Sequence, residues 1–303
     1  MGKVAFVFPG QGAQYVGMGR SIYDRYAAAR EVYSICGAKQ IADISWGGSQ
    51  QDLMSTNVAQ PAIFMVSLAV ALAIKEQGVT ASGVAGFSLG EISALAYSDL
   101  LGVKEAFDFV KFRGDAMHQC ATEHDGGMMA VLGLSAEAVQ KICTSVKGTY
   151  PANYNAPGQT VVAFKAEAKE ILIKAVAEAK GKTVPLAVAG AFHSPLMDGA
   201  AAKLETYLET VNFGKPSASL YANVTGKEYA SVSEAKQLLV KHVTSPVRWQ
   251  AVIEQMIADG YDVFVETGPG KVLTGMIKKI NKDVRTFNVS DAETLEGAVS
   301  QLI

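Results

Sequence analysis

Cysteine and histidine are both scarce here, three of the first and four of the second among 303 residues. Cys36, Cys120 and Cys143 show no C-x-x-C spacing, which argues against a structural zinc site and fits reduced thiols in a cytoplasm. A dominant charge is also missing. The formal net charge is −2 and the charges are scattered, so nothing marks a face for nucleic acid or for an anionic membrane surface. The opening run Met1–Phe8 is broken by Pro9-Gly10 before a signal-peptide core can form. The longest apolar helix candidate, Pro61 to Ile74, is too short to span a bilayer and is expected to be a buried core helix, with proline at its first position. The Gly-rich turn Pro9–Gln14 has neither the G-x-G-x-x-G nor the Walker spacing, so it does not read as a phosphate cradle. Small-molecule chemistry without a metal is the expectation.

What is present is apolar sequence in quantity. A 303-residue chain that is 49% hydrophobic can bury one large core with a smaller one inserted. Val4–Phe8 reads as a strand covered on both faces, the mark of an α/β sheet. The chain is organised around Val84–Glu91, where an apolar run breaks into Gly86-Phe87-Ser88-Leu89-Gly90 and then into a helical pattern. G-x-S-x-G is the signature of a nucleophile on a tight strand-to-helix turn, and of some ordinary Gly-rich turns; Glu91 in the first helical turn suits the helix dipole.

Arg113 lies on the apolar face of a helix read over Val103–Gln119, and Phe109, Val110, Ala116 and Met117 occupy the positions where an acid would pair with it. Either a distant protein carboxylate neutralises it or a ligand carboxylate does. Gln60 closes a helix mouth or serves a site. His193, just ahead of Ser194-Pro195, sits before a helix start that keeps an imidazole neutral and usable as a base. His118 and His124 have no comparable setting. Lys241–Trp249 reads as a loop, and Asp262–Glu266 as the last buried strand. Strands at Met128–Leu132, Tyr150–Asn155, Thr160–Ala163 and Val184–Val188, with two intervening helices, give a β-α-β-β-α-β order. The expected architecture is therefore a large α/β unit, residues 1–125 and 191–303, with a mostly parallel sheet, and an inserted ferredoxin-like unit at 126–190.

Taken together, Phe8–Gly12, Gly86–Gly90, Phe109-x-x-x-Arg113-Gly114-x-x-Met117, Asn155–Gln159, Phe192–Met197, Pro246–Trp249 and Gly268–Leu273 make the chain resemble the malonyl-CoA:acyl carrier protein transacylases of bacterial fatty acid synthesis over essentially its whole length. The resemblance implies that Ser88 is acylated, that His193 is its base, and that Arg113 holds the free carboxylate of malonate. It further implies that the backbone amides of Gln11 and Leu89 form the oxyanion hole and that the His242 carbonyl orients His193. Gln60, Phe87, Met117 and Phe192 would line the site. The implied partners are malonyl-CoA and acyl carrier protein, coenzyme A being part of a substrate and not a cofactor. A monomer in the cytoplasm is the expectation. Most relatives carry His where this chain has Phe87, which bears on acyl selectivity; a bulky residue at Phe192 accompanies malonyl use. A trans-acting acyltransferase serving polyketide carrier domains has nearly the same motifs. A serine thioesterase or hydrolase is the remaining alternative and would need a carboxylate to orient its histidine.

Overall fold

The computed structural model describes residues 2–303. The first strand, β1 (Lys3–Phe8), leads through α1 (Arg20–Arg25), α2 (Ala27–Cys36) and α3 (Lys39–Gly47) to α4 (Thr56–Glu76), β2 (Gly83–Gly86), α5 (Leu89–Tyr97) and α6 (Val103–Glu123). A second stretch holds β3 (Gly126–Leu132), α7 (Ala136–Ser145), β4 (Thr149–Ala156), β5 (Gln159–Lys165), α8 (Lys169–Glu178) and β6 (Lys182–Pro185). The remainder is α9 (Asp198–Glu209), β7 (Ser219–Tyr221), α10 (Val232–His242), α11 (Trp249–Ala258), β8 (Tyr261–Thr267), α12 (Val272–Ile280), β9 (Arg285–Val289) and α13 (Ala292–Leu302).

One sheet has the order β7-β2-β1-β8-β9 with every neighbour parallel, and helices cover both faces. Strand alternation explains why: Phe6 and Phe8 of β1 point into the core built on α4, while Ala5 and Val7 point into a second core with Trp249, Ile253 and Phe264. Both edges differ from the sequence reading, which ended the strands at Glu266 and had no strand near 219. β7 is only three residues long and β9 is half-buried over most of its length, so neither presents the continuous apolar run that marks a central strand.

The second sheet, β4-β5-β3-β6, is antiparallel throughout, the ferredoxin-like order. Met129, Val131, Val162 and Phe164 face α7 and α8 and pack with Val139, Leu172 and Val176. Met128 and Ala130, one step out of phase, face the larger unit. The last strand is shifted from its expected place: pairing runs over Lys182–Pro185, Leu186 N–H still donates to Met128 O at 3.0 Å, and beyond it the chain leaves the sheet. The free edge strand β4 is bonded to the larger unit, Tyr154 N–H donating to Val247 O at 2.8 Å and Val247 N–H to Ala152 O at 2.9 Å.

α4 also departs from expectation. It begins at Thr56, so Pro61 lies inside it and not at its first position. Proline here deprives only the Asn57 carbonyl, in the first turn, of its helical partner. The added turn gives a 21-residue helix with mean hydropathy 1.9 over its best window, long and apolar enough to cross a membrane, which corrects the length argument. Its side chains are nonetheless packed inside the protein, 83% of that window being buried, as expected of a core helix.

Candidate active site

The turn between β2 and α5 is built by backbone contact. A Cβ on Gly86 would lie 1.8 Å from the Gly90 carbonyl carbon, and one on Gly90 would lie 2.0 Å from Phe8 O. Neither glycine tolerates a side chain, because the helix start is pressed onto the strand ends. The conformational strain falls instead on Ser88, at φ 52° and ψ −108°, a region that a residue with a Cβ rarely enters.

Ser88 Oγ lies 2.8 Å from His193 Nε2. His193 Nδ1 lies 2.8 Å from the carbonyl of His242, the last residue of α10. A carbonyl can only accept, so Nδ1 carries the proton and the Nε2 lone pair faces the serine hydroxyl. Burial, with Arg113 nearby as a second cause, lowers the His193 pKa to about 4, so the ring is neutral at physiological pH. The neutrality expected from a helix start thus has other principal causes; the helix after Ser194 opens as a three-residue 3₁₀ turn, Pro195–Met197.

Arg113 is 1% exposed, and among the described residues it makes no ion pair. Its Nη1 donates to Gln60 Oε1 at 2.8 Å and its Nη2 to Ser88 Oγ at 3.2 Å. Burial lowers its pKa to about 10, against the opposing pull of Glu91, so the guanidinium stays charged at neutral pH. Gln60, expected at a helix mouth, lies inside α4, and its Nε2 donates to Met117 Sδ at 3.7 Å.

Ser88, His193, Gln60 and Met117 face a cavity of about 270 Å³ between the two sheets, lined on the same side by Gln11, Phe87, Leu89 and Phe192. Met128, Ala130, Asn153, Asn155, Gln159, Leu186 and Val188 of the antiparallel unit close the other side. Arg113 and His242 stand behind this lining, each through the contact just given. Phe87 packs edge-on against Trp249 with ring centroids 5.7 Å apart. Gln11 Nε2 donates to Thr56 Oγ1 at 3.2 Å, and Leu89 is the first residue of α5. Among the described residues, no protein acceptor meets the backbone amide of Gln11 or Leu89.

A buried polar cluster behind Ser88 was not anticipated. Asn223, fully buried just past β7, accepts from Ser88 N–H at 2.8 Å and donates from Nδ2 to Gly86 O at 2.6 Å. Glu91 does lie in the first turn of α5, but its carboxyl turns inward, accepting from Asn223 N–H at 3.1 Å and from the Tyr229 hydroxyl. Burial raises the Glu91 pKa to about 7 despite those hydrogen bonds. His242 Nε2 lies 3.2 Å from Asn223 Oδ1 and 3.5 Å from Glu91 Oε2. The only sequence signal for Asn223 is its place after a three-residue strand, too short to register.

A serine on a strand-to-helix turn, a neutral histidine on its hydroxyl and a buried cation beside both are the parts of a covalent acyl-transfer site. Residues 5–297 match the family model described as acyl transferase domain, which makes the chain an acyltransferase. It is 37% identical over 310 residues to the malonyl CoA-acyl carrier protein transacylase of Bacillus subtilis (strain 168), covering 100% of this chain and 98% of that one. The crystal structure of malonyl CoA-acyl carrier protein transacylase from Clostridium perfringens superposes with a TM-score of 0.95 at 36% identity, covering 99% of this chain and 97% of that one. A malonyl-transacylase, solved in complex with its type II PKS acyl-carrier protein, gives 0.94 at 32% identity and 99% of both chains. The chain belongs to the malonyl CoA-acyl carrier protein transacylase family.

Proposed function

We propose that this protein moves a malonyl group from malonyl-CoA to the phosphopantetheine thiol of an acyl carrier protein, through a malonyl ester on Ser88. The observation that carries the reading is the Ser88 hydroxyl held between His193 Nε2 at 2.8 Å and Arg113 Nη2 at 3.2 Å, with no protein carboxylate on the guanidinium among the described residues. Malonate differs from acetate by one carboxylate, and a desolvated guanidinium is the group that reads that difference.

His193 Nε2 takes the hydroxyl proton as Ser88 Oγ attacks the thioester carbonyl. The Gln11 and Leu89 amides receive the oxyanion; the Ser88 amide is held by Asn223 instead. Collapse breaks the C–S bond, and His193 returns the proton to the departing thiolate of coenzyme A. The carrier thiol then runs the same steps backwards, so the exchange is ping-pong. Nothing in these steps calls for a metal or a resident cofactor. A serine hydrolase would orient its histidine with a carboxylate, and the carbonyl of His242 at that position weighs against one. The neighbour solved with a type II PKS acyl-carrier protein keeps a polyketide carrier as a second acceptor class beside the fatty acid one. We place the enzyme in the cytoplasm as a monomer, and treat 126–190 as a unit inserted between 1–125 and 191–303, on the strength of its own apolar core.

Mixing the protein with malonyl-CoA and digesting it for mass spectrometry tests the reading. The expected result is a malonyl adduct on the Ser88 peptide that disappears on adding carrier protein; an unmodified peptide, or an adduct that water alone removes, overturns it.

A further inference from the structure

We propose that Asn223 is a positioning residue for acyl transfer: its side-chain amide locks the Ser88 turn and ties that turn to the residue that orients the base. The inference rests on the acyl-transfer reading above and adds a residue to which that reading gives no task.

The orientation of the amide is forced by its partners. Oδ1 meets a main-chain N–H, that of Ser88, and Nδ2 meets a main-chain carbonyl, that of Gly86, so the group cannot be flipped without losing both bonds. The two bonds span Phe87 and clamp the chain where it enters the nucleophile, holding the backbone that leads into the strained conformation with Oγ aimed at His193. Oδ1 also faces His242 Nε2 at 3.2 Å. Both groups near that nitrogen, Asn223 Oδ1 and Glu91 Oε2, are acceptors, so Nε2 carries a proton and donates. One amide oxygen therefore gathers the backbone of the nucleophile and the ring of the residue whose carbonyl holds His193. Asn223 is itself pinned at both main-chain atoms: its N–H donates to Glu91 Oε2 at 3.1 Å and its carbonyl accepts from Arg248 N–H at 2.9 Å. Every polar group of this buried residue is used, which makes the cluster stiff and intolerant of a partial replacement.

The test is single-turnover acylation by malonyl-CoA, followed by quench and mass spectrometry. Asn223→Ser removes both side-chain contacts, and the acylation rate constant is expected to fall about 10²-fold with the KM for malonyl-CoA within about twofold, as for a misplaced nucleophile in an intact pocket. Val139→Ala, in the core of the antiparallel unit, is the control for lost melting temperature and should keep the wild-type rate. Asn223→Asp supplies a second readout that survives poor folding of the serine variant. A protonated aspartic acid can donate to Gly86 O and accept from Ser88 N–H, whereas the carboxylate repels that carbonyl. Its rate relative to wild type should therefore climb as pH falls from about 8 to about 5.5. A serine variant no slower than the Val139 control, or an aspartate variant whose relative rate is flat with pH, overturns the proposal. Failure of wild-type protein to acylate at all would instead overturn the family chemistry.

Discussion

The polar groups behind Ser88 and those in front of it are both largely buried, Tyr229 being the half-buried exception, and they are differently supplied. Behind it, Asn223, Glu91, Tyr229 and His242 answer one another, each with a hydrogen-bond partner inside the cluster or on the Ser88 turn. In front, Arg113 has a neutral amide oxygen and a hydroxyl where a buried guanidinium would ordinarily take a carboxylate, and Asn155 Oδ1 has no protein partner among the described residues. A satisfied buried network holds a geometry, and an undersupplied one is prepared for something that arrives. On the proposed chemistry, the contrast separates the part of the site that would fix Ser88 from the part that would select the acyl group.

That division breaks or sharpens under substitution. The largest effect is expected from Arg113→Ala, which removes a charge-assisted pair of about 2–4 kcal/mol and should cut malonyl transfer about 10²-fold while sparing acetyl transfer. Equal loss with both donors, measured as kcat/KM for each acyl-CoA, would move Arg113 to the holding side. Next is pH. With the His193 pKa near 4 in place of 6.5, the base is neutral at pH 5, and kcat/KM for malonyl-CoA should be nearly as high there as at pH 7. An unperturbed histidine would lose about 25-fold over the same interval, so the two cases separate in one rate profile. The smallest effect belongs to Phe87→His. Phe87 rests on Trp249 at the cavity wall, outside both polar sets, and malonyl transfer should stay within about twofold; a large gain would show a pocket tuned to another acyl group.

Much of the front was legible in the sequence and less of the back, where Glu91 and, through the resemblance, the His242 carbonyl were named but Asn223 and Tyr229 were not. Ser88 announces itself by glycines that stand where backbones touch, and Arg113 by a charge at an apolar helical position with no acid in reach. Asn223 has no local sign. Its task exists only because β7, a three-residue strand, pairs with β2 and delivers it beside a turn 135 residues away in the chain. Glu91 was visible as a first-turn acid, but the inward turn of its carboxyl depends on Tyr229, which no spacing rule connects to it. The helix start at Thr56 was hidden for a different reason: a proline is the strongest local stop signal, and here its one missing hydrogen bond falls in the first turn, where it does little damage.

The seam between β4 and Val247 has a mechanical meaning. Two main-chain hydrogen bonds rivet the outer strand of the small sheet to a segment five residues beyond the carbonyl that steadies the imidazole. Swinging that sheet outward to widen the mouth would drag on the His193 ring itself. Room for a bulkier thioester would then have to come from side chains of the cavity wall such as Leu186 and Val188.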